Sequence, residues 1–226
     1  MPVAIGTRPL KSWRYVAFFS PGLIACEAHI RIGPVRDSFA AVWEREGGLL
    51  WHRAGDLRLS FEERGGIETV CRAGDLYAWT RKRAPLPATA AFRGRVHAGH
   101  VLIDDTAAYY ERHTRWYWSA GVGRARTGEI VAWNLAAGVN DPPRNSERTL
   151  WIDGVAQEPG PCSFAPDLRR VDDLCFSAEA TLARRVNLGL VRSDYRQPMG
   201  SFSGSLPGGV ELDHALGVME HHDAWW

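Results

Sequence analysis

Glu147, Glu220, His222 and Asp105 are the side chains in this sequence best suited to moving a proton. A carboxylic acid kept neutral by an apolar wall can protonate carbon, and a neighbouring imidazole or carboxylate can take the proton back. Glu220 and His222 stand in the closing stretch GVMEHHDAWW, Gly217 to Trp226. On a strand they share a face with Ala224 and Trp226, while His221 and Asp223 face the other way. The adjacent histidines are therefore split, and both cannot ligate one metal ion without a bulge. No HExxH or other compact ligand spacing occurs elsewhere, so neither a metal nor another cofactor is expected. Glu147 stands at the mouth of the apolar run Thr149-Leu150-Trp151-Ile152. It is either paired with an arginine, such as Arg112 or Arg115, or turned into a pocket that raises its pKa. Asp104 and Asp105 end the run Val101-Leu102-Ile103 and point to opposite sides of a strand, so at most one reaches a site. Asp105 is taken as the candidate.

Aromatic faces are the natural wall for such chemistry, because they stabilise a developing cation and bind apolar groups. In Arg112 to Gly123, Trp116 and Trp118 share a face with Thr114, and Arg115, Tyr117 and Ser119 share the other. Farther on, Val131, Trp133 and Leu135 line one side of a strand, with Ile130, Ala132 and Asn134 opposite. An amide in that company must find hydrogen-bond partners or face a polar cavity. Trp116, Trp118, Trp133, Asn134 and Arg112 are thus the candidate ligand contacts. Gly121-x-Gly123 lacks the third glycine and the following helix of a phosphate loop, and reads as a turn.

The elements that must position these residues read as short strands between turns. Leu57, Leu59 and Phe61 alternate, Gly65-Gly66 follows, and Ile67 to Cys71 completes an expected hairpin. Asp153-Gly154 and Pro207-Gly208-Gly209 are further turns. Ala178 to Arg185 is the best local helix candidate, and Val186 to Val191 is a candidate strand. Arg81-Lys82-Arg83 reads as a solvated strand end.

The chain has 226 residues, of which 45% are hydrophobic, with ten Trp, 23 Gly and 13 Pro. Many aromatics among many turn residues predict an all-β sandwich or antiparallel barrel, with few or no helices. Residues 1–226 are expected to form one all-β unit, or two sheet halves meeting near residue 104. A net charge of +1, from 27 basic and 26 acidic residues, argues against a nucleic-acid partner. No apolar run reaches the roughly 18 residues of a membrane span, and no secretory leader is evident, so a cytoplasmic protein is expected. Cys26, Cys71, Cys162 and Cys175 form no CxxC pair and read as free thiols.

Several ordered motifs carry a resemblance. They are Tyr77-Ala78-Trp79-Thr80-Arg81-Lys82 with Leu86-Pro87; Arg112 to Gly123; Trp133-Asn134-Leu135; Ser146-Glu147-Arg148 with Trp151-Ile152-Asp153-Gly154; Tyr195 to Gly204; and Gly217-Val218-Met219-Glu220 with His222 and Trp226. Together they resemble a bacterial family, domain of unknown function 2804. That resemblance implies a lipocalin-like (calycin-like) barrel or pair of packed half-barrels, distantly similar to carotenoid hydratases and tocopherol cyclases. It assigns no catalytic residues, although its closing motif holds both Glu220 and His222. Two functions are then weighed. One is a hydratase- or cyclase-type lyase or isomerase that protonates an apolar small molecule in a Trp-lined cavity. The other is a non-enzymatic carrier of such a ligand.

Overall fold

A computed structural model describes residues 1–52, 55–187, 189 and 191–226. Strands β1 (Ala4–Ile5) and β2 (Arg8–Pro9) form a small pair at the start. The first large sheet then contains β3 (Lys11–Ser20), β4 (Leu23–Ile32), β5 (Val35–Glu44), β6 (Leu49–His52), β7 (Arg58–Phe61), β8 (Ile67–Ala73), β9 (Leu76–Phe92) and β10 (Arg95–Ala108). The second contains β11 (His113–Ala125), β12 (Ile130–Ala137), β13 (Thr149–Ile152), β14 (Val155–Gln157), β15 (Arg170–Val171), β16 (Leu174–Asn187), β17 (Arg192–Leu206) and β18 (Val210–Trp225). All ladders are antiparallel and no helix occurs among the described residues, as the all-β reading expects.

Both sheets follow one plan. Their orders are β6-β5-β4-β3-β10-β9-β7, with β8 also on β9, and β14-β13-β12-β11-β18-β17-β16-β15. In each, the first long strand pairs with the last, and the intervening strands extend to either side. Neither sheet closes on itself among the described strands, so the architecture is a pair of packed open sheets rather than a sealed barrel. Strand alternation gives each sheet two apolar faces. One face folds around a private core: Val16, Phe18, Val42 and Ile103 in the first sheet, Trp133, Leu135, Phe176 and Phe202 in the second. The other face packs sheet on sheet, joining Tyr15, Ala17, Cys26 and Leu102 to Trp116, Trp118, Ala120, Met199 and Val218.

Three local expectations are corrected, and a fourth lies partly outside the described residues. Ala178 to Arg185 lies within β16, paired with β17 apart from a bulge at Glu179, because a short helix without an apolar stripe has no face to pack. Candidate strand Val186 to Val191 runs partly through positions 188 and 190, outside the described residues. The expected hairpin at Gly65-Gly66 does not form, since β7 and β8 each pair with β9 instead. Gly121 and Gly123 sit inside β11, where bareness rather than turning matters. A Cβ on Gly121 would lie 2.4 Å from the Trp133 ring, and one on Gly123 would lie 2.3 Å from Ala215 Cβ.

Candidate functional site

The interface between the sheets carries two buried acid clusters. In the second sheet β11, β18 and β17 lie side by side, so Trp116, Glu220 and Gln197 project onto the same face. Glu220 is 8% exposed. Trp116 Nε1 donates to its Oε1 at 2.8 Å, and Gln197 Nε2 donates to Oε2 at 3.1 Å. Gln197, itself fully buried, accepts from the Tyr15 hydroxyl at 3.1 Å and the Cys26 thiol at 3.6 Å. Burial raises the Glu220 pKa to about 7, against the donors Trp116, Tyr195 and Gln197 that favour the anion. No cation pairs with it among the described residues. Glu220 is thus a carboxyl that holds its proton near neutrality. Burial likewise keeps the Tyr195 phenol well above its ordinary pKa.

His222 lies on the Glu220 face, as strand alternation requires, but bonds elsewhere. Its Nε2 is 2.7 Å from Ser193 Oγ, and its ring packs on Trp116 at 4.3 Å and on Tyr195 at 5.2 Å. Burial lowers its pKa to about 4, so the imidazole is neutral. The two side chains therefore share the Trp116 and Tyr195 surroundings without a hydrogen bond between them.

The second cluster is centred on Lys82, only 2% exposed. Its ammonium lies 2.5 Å from Asp104 Oδ1 and 3.1 Å from Glu147 Oε2. Burial opposes the charge, but the two carboxylates outweigh it and raise the Lys82 pKa. Asp104 also accepts from Thr106 Oγ1 at 2.8 Å and from Trp13 Nε1 at 3.4 Å. Asn140 Nδ2 bonds Glu147 Oε2 at 3.2 Å, and burial raises the Glu147 pKa despite Lys82. The Arg81-Lys82-Arg83 run is thus no solvated strand end. Alternation along β9 turns Lys82 into the inter-sheet space and Arg83 toward the opposite face.

The remaining candidates separate. Asp105 faces away from Asp104 and is held by Arg14 at 3.0 Å and Arg83 at 2.6 Å. Glu147 pairs with Lys82, not with Arg112 or Arg115; Arg112 is exposed in the link between the sheets, and Arg115 pairs with Asp223. Trp133 lies in the private core of the second sheet, its Nε1 donating to Ser119 Oγ at 3.0 Å, so it shares no wall with Trp116 and Trp118. Asn134 accepts from Trp118 Nε1 and donates to the Glu147 carbonyl, both at 2.8 Å, which satisfies it without a ligand. Asp104, Lys82, Gln197, Tyr195, Trp13 and Tyr15 were missed. The signal for them is face-matching: each sits an even number of positions from a core residue on the inter-sheet face.

Rings line this interface in series. Tyr110 stacks on Trp13 at 5.9 Å, Trp13 on Trp116 at 6.3 Å and 5°, and Tyr15 meets Trp118 edge-on at 5.4 Å. A surface groove of about 680 Å³ opens at the end of the first sheet, lined by Trp13, Arg14, His29, Arg36, Trp79 and Asp105 among others. Trp13 therefore belongs both to the groove and to the buried network. No group of three or more potential ligands that would hold a metal occurs among the described residues. No helix among them is long and apolar enough to cross a membrane.

Comparison with known proteins gives one family match: Domain of unknown function (DUF2804) fits residues 95–226. No curated protein matches the chain. Among solved structures, an AttH-like protein of Nitrosomonas europaea is similar with a TM-score of 0.44 and 14% identity, covering 96% of this chain and 93% of that one. CghA gives 0.43 and 9% identity over 100% and 94% of the two chains. Kievitone hydratase of Nectria haematococca gives 0.39 and 9% identity over 96% and 88%.

Proposed function

The chain belongs to the DUF2804 family, and on that footing we propose that it binds an apolar, unsaturated small molecule against the aromatic rows between its sheets, with Glu220 as a proton donor. The observation that carries this reading is the environment of Glu220. It is a buried carboxyl without a counter-cation among the described residues, raised to about 7 and bonded by the Trp116 indole N–H. Protonation of a carbon–carbon double bond needs a neutral acid at working pH and an electron-rich wall for the cation that follows. Glu220 supplies the first, and Trp116, Trp13 and Tyr15 the second. His222, neutral and bonded to Ser193, shapes the wall rather than sharing the proton. The reaction class is accordingly acid-type hydration, cyclisation or isomerisation.

A carrier role without chemistry is the second reading. One observation favours it: the 680 Å³ groove is lined by Trp13 but by neither Trp116 nor Glu220. One experiment separates the two. Cis-parinaric acid, a fluorescent polyene, is titrated into wild type and Glu220→Gln, and each mixture is then held in D2O and analysed by mass spectrometry. Binding by both proteins with deuterium uptake or product only in wild type supports the enzyme. Binding without any Glu220-dependent change supports the carrier, and no binding by either refutes both.

A further inference from the structure

The ladders place the central strand pairs of the two sheets in one-to-one correspondence. In the first sheet Trp13 faces Thr106, Tyr15 faces Asp104 and Ala17 faces Leu102. In the second Trp116 faces His222, Trp118 faces Glu220 and Ala120 faces Val218. One strand farther out, Asp104 faces Lys82 and Thr106 faces Thr80, while His222 faces Tyr195 and Glu220 is bonded by Gln197. The tryptophans repeat the same act, since Trp13 donates to Asp104 and Trp116 donates to Glu220. Corresponding residues also touch one another: Trp13 stacks on Trp116 at 5° and Tyr15 meets Trp118. Contact between counterparts is the mark of a two-fold relation. The two acid clusters are therefore halves of one quasi-symmetric site, each contributing an indole and a carboxylate.

Symmetry fails at one telling position: Lys82 in the first half corresponds to Gln197 in the second. We infer that this difference divides the roles of the two carboxylates, Lys82 making Asp104 the anion of the site and Gln197 leaving Glu220 its neutral acid, for an alkene substrate that passes through a carbocation. The inference rests on the reading of Glu220 as the acid and adds Asp104 as its charged counterpart. When the Glu220 O–H bond breaks, the alkene π electrons take the proton to form C–H, and the positive charge is left on the adjacent carbon. Asp104 and the stacked indoles are then the groups that oppose that charge. The negative charge of Asp104 also helps to raise the Glu220 pKa, as a fixed anion nearby must. Lys82 and Gln197 are positioning residues in this scheme, acting only through the carboxylates beside them.

Infrared difference titration of carboxyl C=O bands between pH 4 and 10 tests this without a substrate. Wild type is expected to lose one carboxylic-acid band with a midpoint of about 7, absent in Glu220→Gln. Gln197→Lys gives Glu220 the partner Asp104 has and should lower that midpoint by roughly 2 units, about a 100-fold loss of proton affinity. Gln197→Met removes a donor to the anion and should raise it. Lys82→Gln takes the cation from Asp104 and Glu147 alike and should add a second titrating carboxyl band, which the added Asp104→Asn or Glu147→Gln substitution assigns. If Lys82→Gln does not fold, the opposed shifts of the two Gln197 variants decide the matter. Absence of any band near 7 that depends on Glu220 overturns the acid reading itself. A Glu220 band that neither Gln197 variant moves overturns the division of roles alone.

Discussion

A neutral Glu220 has a cost in stability that grows with pH, and Glu220→Gln should remove it. Folding raises this carboxyl from 4.5 to about 7, so the folded chain holds the proton more tightly than the unfolded one. Its stabilising effect is complete below pH 4.5 and is lost as pH climbs through 7. The full span, at 1.36 kcal/mol per unit, is about 3.4 kcal/mol. Integrated between pH 5 and pH 8 it is about 2.5 kcal/mol. His222 works in the opposite sense, because its pKa falls from 6.5 to about 4 and its contribution grows as pH rises through that window. The two slopes nearly cancel in wild type, so a single pH profile conceals both. Comparing wild type with Glu220→Gln isolates the carboxyl. The amide has the wrong partner in Gln197 Nε2, which imposes a pH-independent penalty of about 1 kcal/mol. Above that offset, the variant should gain about 2.5 kcal/mol on wild type between pH 5 and pH 8, measured by urea unfolding with m-values held equal. A stability difference that stays constant within about 0.5 kcal/mol would refute the raised pKa and the proton-donor role together.

Other substitutions probe the frame around this acid. Trp116→Phe keeps the ring but deletes the donor to Oε1, so it should raise the Glu220 midpoint and cost about 1 kcal/mol, read by infrared titration and urea unfolding. Lys82→Met leaves Asp104 and Glu147 buried without their cation and should cost about 3–5 kcal/mol at pH 7, with partial recovery at pH 5 as a carboxyl protonates. Gly121→Ala drives a methyl into the Trp133 ring and the Leu216 carbonyl and should cost at least about 1–3 kcal/mol, visible as a lower Tm. Asp105→Asn, on the far face with Arg14 and Arg83, should leave the Glu220 titration unmoved.

Alternation made the faces of β11, β12 and β18 legible: Trp116 with Trp118, Trp133 with Val131, and Glu220 with His222 all fall where a period of two puts them. The identity of the interior is harder to read, because central strands such as β3, β11 and β12 are buried on both faces and one face looks much like the other. On sequence alone Trp133 groups with Trp116 and Trp118 for that reason, although the sheet separates them. Lys82 was hidden by its neighbours, as a basic triplet looks solvated until the strand is known to run between two layers. Choosing Asp105 over Asp104 was likewise a matter of face, decided only by the pairing of β10 with β3 and β9. Ala178 to Arg185 misled because its alanines and arginines favour a helix locally, whereas the β17 ladder decides the outcome.

The buried polar groups are better explained by position than by stability. Replacing a buried ion pair with apolar residues is often neutral or stabilising, so the Lys82–Asp104–Glu147 cluster is not needed merely to hold the sheets together. Its placement is informative: Lys82 and Asp104 come from the first sheet and Glu147 from the second half. At another edge, Arg45 and Trp43 of the first half grip Glu179 of the second at 2.7 and 3.0 Å. Ala17, Ala28, Ala120 and Ala136 offer little to interlock, so the directional ties add to the packed rings in fixing one register. Fixing that register is what brings Trp13 over Trp116 and sets Asp104 near Glu220. Among the described residues Glu220 has no cation, and the bond that crosses the sheets here runs from Tyr15 to Gln197. A carboxyl that costs stability at neutral pH, and that itself makes no bond across the sheets, fits the proton-donor role proposed above.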